Sequence, residues 1–255
     1  MTTIIGVKCK DGILMCSDTQ SSTDTVKDSA VKIKPIGDLY LFGGAGASPY
    51  INHFYDILSD SLLHSKPNQT EIDKINTAIL NYSSFIQEWN KKVEFPVDPY
   101  PHVLLGSVQG QSFHLWHIET PNIAEEVKDP FRSTIGTGGE IARHYFLTVE
   151  RFLDKYSNYW VYLSTKLIAQ FCYLLISNIL RIDLKSGGRV HFWKIDNDGV
   201  NPYPLNQFFT SKNYIAELTT SIIKEIPECK EYIASIVVDI PQFMEMFNDF
   251  KKDNN

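Results

Sequence analysis

The second residue of this chain is a threonine, Thr2, directly behind Met1. An initiator methionine before a small residue is commonly removed, and removal here leaves a threonine whose hydroxyl and free α-amine share one residue. Such an amine titrates at about pH 7.7–8.0, so near neutrality a useful fraction is unprotonated and able to act as a base. A threonine hydroxyl activated by its own terminal amine is a known arrangement for nucleophilic attack on a carbonyl. Further along stand Asp18 at the end of an apolar run, Lys32 within Val31-Lys32-Ile33, and the stretch Gly43-Gly44-Ala45-Gly46. Gly136-Thr137-Gly138-Gly139 and Arg181-Ile182-Asp183-Leu184-Lys185-Ser186-Gly187-Gly188 follow much later. Taken singly, each has a plainer reading. A Met-Thr start is ordinary, Asp18 ends a strand and Lys32 is a solvated strand residue. Thr137 caps a helix and Ser186-Gly187-Gly188 turns the chain out of one.

The surrounding elements decide whether these residues can meet. From Thr3 to Cys9 the chain is rich in β-branched residues, Asp11-Gly12 signals a hairpin, and Ile13–Cys16 is apolar on consecutive positions. A strand apolar on both faces is covered on both faces. The polar residues Thr19–Ser29 read as an exposed loop. Short strands are expected at Val31–Lys34 and Leu39–Phe42, ahead of a glycine-rich corner at Gly43–Gly46. Ile51, Phe54, Leu58 and Leu62 recur at helical spacing behind Ser48-Pro49, a fitting N-cap and N1 pair. A second helix is expected from Glu71 to Trp89, a hairpin of His102–Gln109 and Gln111–Ile118 around Gly110, and helices at Glu140–Leu153 and Val161–Ile182. A strand at Val190–Ile195 comes next, and Asn213–Asn255 looks helical. Strands, two helices, strands, two helices, strands is the order of an α+β sandwich and not of a βαβ alternation. No linker interrupts it, so residues 1–205 form one domain and residues 206–255 a helical extension packed upon it.

Composition excludes several classes of function. The 255 residues include 43% hydrophobic and 21% charged, an ordinary globular balance. Twenty-four basic against 30 acidic residues give a net charge of −6 with no Lys/Arg cluster, which speaks against nucleic acid and anionic membranes as partners. The four cysteines form no C-x-x-C pair and suit a reducing, cytoplasmic setting. No apolar run reaches the length of a membrane span. Gly136-x-Gly138 misses the third glycine of a dinucleotide fingerprint, and neither glycine-rich stretch is a P-loop. His114 and His117, three apart on a strand, face opposite ways and make poor joint metal ligands.

The ordered set of Thr2, Asp18, Lys32, Gly43-Gly44-Ala45-Gly46, Gly136-Thr137-Gly138-Gly139 and Asp183–Gly188 resembles the β-type subunits of the proteasome and their bacterial relative HslV. Those proteins are N-terminal-nucleophile threonine proteases, and the resemblance spans roughly residues 2–196. It implies a four-layer αββα sandwich. Position by position it makes Thr2 the nucleophile, Lys32 the lysine that lowers the amine's proton affinity, and Asp18 the carboxylate that holds Lys32. It makes the Gly43 N–H the oxyanion donor. Thr137 stands where the family carries serine, and Asp183 and Ser186 hydrogen-bond around the terminal amine. Lys34 is a fallback for the lysine role.

The resemblance further implies a threonine endopeptidase acting on unfolded polypeptide through an acyl-enzyme, with no metal or organic cofactor. It implies a homo-oligomeric chamber of stacked rings fed by an ATP-dependent unfoldase. Ser21, Ser22, Ala30, Leu41 and Ala45 are the expected substrate-binding positions, small or apolar enough to favour apolar side chains. Two alternatives stay open at this stage: an inactive structural subunit that keeps Met1, and a small-molecule amidase of the same nucleophile class.

Overall fold

The computed structural model describes residues 2–22, 27–65, 68–92, 98–128, 132–152, 163–182 and 187–204. The expected tail helix and the 206–255 extension lie outside the described residues, as do Asp183 and Ser186.

Two five-stranded antiparallel sheets form the middle of the molecule. The first has the order β10 (Arg132–Ile135), β1 (Ile4–Cys9), β2 (Gly12–Asp18), β11 (Val190–Asp196), β12 (Gly199–Pro202). The second has the order β5 (Ile33–Ile36), β6 (Tyr40–Ala45), β7 (His102–Gln109), β8 (Ser112–Glu119), β9 (Glu125–Glu126). Helices α1 (Ser48–His64) and α2 (Glu71–Asn90) pack on the second sheet. Helices α3 (Thr137–Phe152) and α4 (Thr165–Ile182) pack on the first.

Side chains alternate faces along each strand, and the three apolar clusters follow that alternation. On β1 and β2, Ile5, Val7, Cys9, Leu14 and Cys16 join Phe146, Leu167 and Ile176 beneath α3 and α4. Ile4, Ile13 and Met15, from the opposite face, meet Leu41, Leu104 and Leu115 of the second sheet. Phe42, Val103, Leu105 and Ile118 turn outward to Phe54, Leu58, Ile75 and Tyr82 of α1 and α2. Three apolar seams between four layers make the αββα sandwich, and they explain why every residue of β2 is buried.

Local signals set the helix ends. Thr70 and Asp73 form a capping box at the start of α2. The Asp11 carboxylate, in the β1–β2 turn, accepts from the Thr165 N–H (2.7 Å) and the Thr165 hydroxyl (2.9 Å), tying α4 to that hairpin. At α1 the cap is Ala47 with no side-chain bond, so Ser48 is already inside the helix, one residue from the expected cap.

Some expectations shift. The polar segment Thr19–Ser29 contains a two-stranded ribbon, β3 (Gln20–Ser22) paired with β4 (Lys27–Ser29). Backbone pairing needs no apolar pattern, so a polar ribbon escapes a reading by hydrophobic period. The stretch Gly43–Gly46 is no corner: β6 runs through Gly43 and Gly44 to Ala45, and the chain turns at Gly46, φ 138°. The first strand after the ribbon is Ile33–Ile36, which leaves Lys32 just ahead of it.

Candidate active site

Thr2 lies at the open end of the first sheet, immediately before β1, and is 8% exposed. Its neighbour sets its place. The Thr3 N–H donates to Asp18 Oδ1 (2.8 Å) and the Thr3 carbonyl accepts from the Asp18 N–H (3.3 Å), so the last residue of β2 clasps the chain one residue behind the threonine. Lys32 Nζ donates to the same Asp18 Oδ1 at 2.7 Å. Asp18 Oδ2 accepts from the Gly187 N–H at 3.1 Å, just past the segment that carries Asp183 and Ser186. The carboxylate is fully buried and the lysine side chain 6% exposed, a desolvated pair that survives because each charge has its partner.

Lys34 serves elsewhere. It donates to Asn52 Oδ1 (2.8 Å) and lies over the Tyr55 ring, on α1. Because β5 begins only at Ile33, strict alternation does not carry back to Lys32, and the two lysines part company.

Thr2 opens into a cavity of about 530 Å³ lined also by Ala45, Gly46, His102, His117, Thr134 and Thr137. Thr137, the first residue of α3, is thus on the wall beside Thr2. Gly136 explains how β10 comes so near: its φ is +84°, and a Cβ there would stand 1.9 Å from the Thr2 carbonyl oxygen.

The two glycines of β6 meet different neighbours. The Gly44 N–H donates to the Lys32 carbonyl (3.2 Å) on the β5 side of the strand. Gly43, the expected oxyanion donor, pairs with Ile33 of β5 and Leu104 of β7, and its α-carbon packs against Ile4 and Met15 between the sheets.

Of the expected pocket residues, Ala45 lines the cavity. Leu41 does not: it has no exposure and fills the seam between the sheets. Ala30 is half-buried beside the ribbon, its N–H donating to the Thr19 carbonyl (2.8 Å). Ser21 and Ser22 lie on β3, the ribbon strand that begins two residues after Asp18. The turn Gly187-Gly188 closes on this ribbon: Gln20 N–H donates to the Gly187 carbonyl (2.9 Å) and Arg189 N–H to Thr19 Oγ1 (2.8 Å).

Sequence reasoning weighed His117 only against His114 and did not join it to two other polar residues on the same cavity wall. His102, His117 and Glu119 come together where β7 begins and β8 ends. Reading the Gly110 turn as a hairpin with Gln109 opposite Ser112 already sets His102 opposite Glu119.

Comparison with known proteins places the chain in a family. The family model described as "Proteasome subunit" matches residues 1–97. A protein named proteasome subunit beta from Nanoarchaeum equitans (strain Kin4-M) is 30% identical over 148 residues, 56% of this chain and 70% of that protein. With Thr2 directly behind Met1, a buried carboxylate–lysine pair and a four-layer sandwich, the chain belongs to the proteasome subunit family, β type.

Proposed function

We propose that the chain is a threonine endopeptidase that cleaves unfolded polypeptide after losing Met1, with Thr2 as nucleophile. The observation that carries this reading is the buried Lys32–Asp18 pair clasped to the backbone of Thr3, next to a threonine that opens into a cavity. A buried ion pair is a costly way to fill space, and an ammonium held near a terminal amine disfavours protonation of that amine.

The freed Thr2 amine takes the proton from the Thr2 hydroxyl, directly or through a water, and the alkoxide attacks the scissile carbonyl. Negative charge collects on the carbonyl oxygen. The Gly43 N–H is the donor assigned to meet it, and a residue without a Cβ lets a substrate backbone come close there. The protonated amine then gives its proton to the leaving amine as the C–N bond breaks, leaving an ester on Thr2 Oγ. Water, deprotonated by the same amine, attacks that ester, and the acid product leaves with Thr2 Oγ reprotonated. Thr137, Asp183 and Ser186 hold the amine's hydrogen bonds in this scheme. Ser21, Ser22, Ala30 and Ala45 border the substrate, and the small Ala45-Gly46 wall favours an apolar side chain ahead of the cleaved bond.

Proteasome subunits work in rings, and we take this chain to form a homo-oligomeric chamber in the cytoplasm, served by an ATP-dependent unfoldase. The test uses fluorogenic peptides and unfolded casein. Wild type should hydrolyse both and Thr2→Ala neither, with peptides bearing an apolar residue before the cleaved bond turned over fastest. Hydrolysis undiminished in Thr2→Ala would refute the assignment of the nucleophile.

A further inference from the structure

His102, His117 and Glu119 have no part in the peptidase scheme, yet they face the Thr2 cavity as a group. Their placement follows from the ladder. His102 and Glu119 are direct partners across β7 and β8, and His117 precedes Glu119 by two residues, so all three share one face. Leu104 and Leu115 continue that same face into the seam between the sheets, which puts the trio at the seam's open end, across from Thr2.

The geometry points to a divalent transition-metal site of the zinc class, formed by His102, His117 and Glu119 on the wall of the Thr2 cavity. Three ligand atoms, one from each residue, lie within 4.8 Å of one another. His117 Nε2 is 3.5 Å from Glu119 Oε1, and His102 Nδ1 is 3.8 Å from the same oxygen. Ligands at metal distances of about 2.0–2.2 Å around a tetrahedral zinc are separated by roughly 3.4 Å, so two of the spacings need only small adjustment. His102 and Glu119 are about half exposed and free to make it.

His117 supplies the second observation. Its Nε2 is buried and has no hydrogen-bond partner. Its Nδ1 lies 3.1 Å from Ser133 Oγ, the outer partner that fixes which ring nitrogen carries the lone pair in metal-binding histidines. Two histidines and one carboxylate are a ligand set of open metal sites, with the fourth position here directed into the cavity.

The consequence rests on the reading of the cavity as the peptidase site: an ion there narrows the groove and adds positive charge beside Thr2, so binding should slow hydrolysis reversibly. Zinc affinity of the full chain is measured by competition with a chromophoric chelator, and cobalt in place of zinc reports geometry through its visible absorption. Wild type should bind zinc with a tetrahedral cobalt spectrum. His117→Ala and the isosteric Glu119→Gln should lose on the order of 100-fold or more in affinity, and Ser133→Ala about 10–100-fold, the usual effect of an outer partner. Equal affinity in wild type and both ligand variants would overturn the site. Thr2→Ala should bind zinc like wild type, so the site stands or falls independently of the peptidase assignment. Zinc should inhibit peptide hydrolysis by wild type and not by Glu119→Gln; equal inhibition would overturn the regulatory role.

Discussion

Asp18 makes three bonds at once, to Lys32 Nζ, the Thr3 N–H and the Gly187 N–H, and this unequal sharing predicts unequal mutants. Asp18→Asn removes the carboxylate 2.7 Å from a buried ammonium, and breaking a buried pair in this way costs about 3–5 kcal/mol. Lys32→Ala leaves a carboxylate that still accepts two backbone N–H bonds, so it should cost clearly less. Denaturant midpoints of the two variants measure this, and both should lack peptidase turnover while Lys32→Ala keeps its fold. A double variant, Asp18→Asn with Lys32→Ala, should be destabilised by less than the sum of the singles, by about 0.5–3 kcal/mol, as expected of residues in contact. The residues of this pair were readable from sequence because family order marks them out. That Lys34 turns instead to Asn52 and Tyr55 was not, because it depends on where β5 begins.

Among the elements, the turn from β10 into α3 brings the middle of the chain against Thr2. Gly136→Ala would place a methyl against the Thr2 carbonyl, in a backbone region that side chains avoid. Turnover should fall far more than stability accounts for, since small displacements of a reacting group are costly. Comparing kcat with the unfolding midpoint of the variant separates the two. Thr70→Ala, at the α2 capping box on the opposite outer layer, is the contrasting case: about 1 kcal/mol of stability lost and unchanged kcat. Helix α2 was legible to within a residue and α1 to within its cap, whereas α3 starts three residues before and α4 four residues after its expected start. The β3–β4 ribbon was not, because its residues are polar and its pairing is purely backbone. The His102–His117–Glu119 group also escaped, since residues far apart in sequence meet only through the ladder register.

For the molecule as a whole, burial of tyrosines adds a pH dependence. Tyr40, Tyr55, Tyr82, Tyr145 and Tyr203 are all raised by desolvation, Tyr203 to about 12 with added repulsion from Asp11 and Cys9. In the unfolded chain these phenols ionise near pH 10, as tyrosines do in model peptides. Above that pH the unfolded state releases protons that the folded state keeps, so stability falls as pH rises from about 10 toward 12. Thermal midpoints across that range should drop for wild type and more gently for Tyr203→Phe. The layering behind this burial was legible from the grouping of strands and helices, and the double-faced apolar run of β2 already required cover on both sides. Assembly lies at this scale too: native mass should show rings in wild type and in Thr2→Ala alike, since Thr2 faces a cavity and not an outer surface. The most direct test of the central claim is intact-mass analysis of the chain before and after treatment with an electrophilic β-lactone that acylates hydroxyl nucleophiles. The account predicts a chain lacking Met1 that gains one acyl group on Thr2 and loses activity in step. A chain that retains Met1, or one acylated elsewhere with Thr2 untouched, would contradict it.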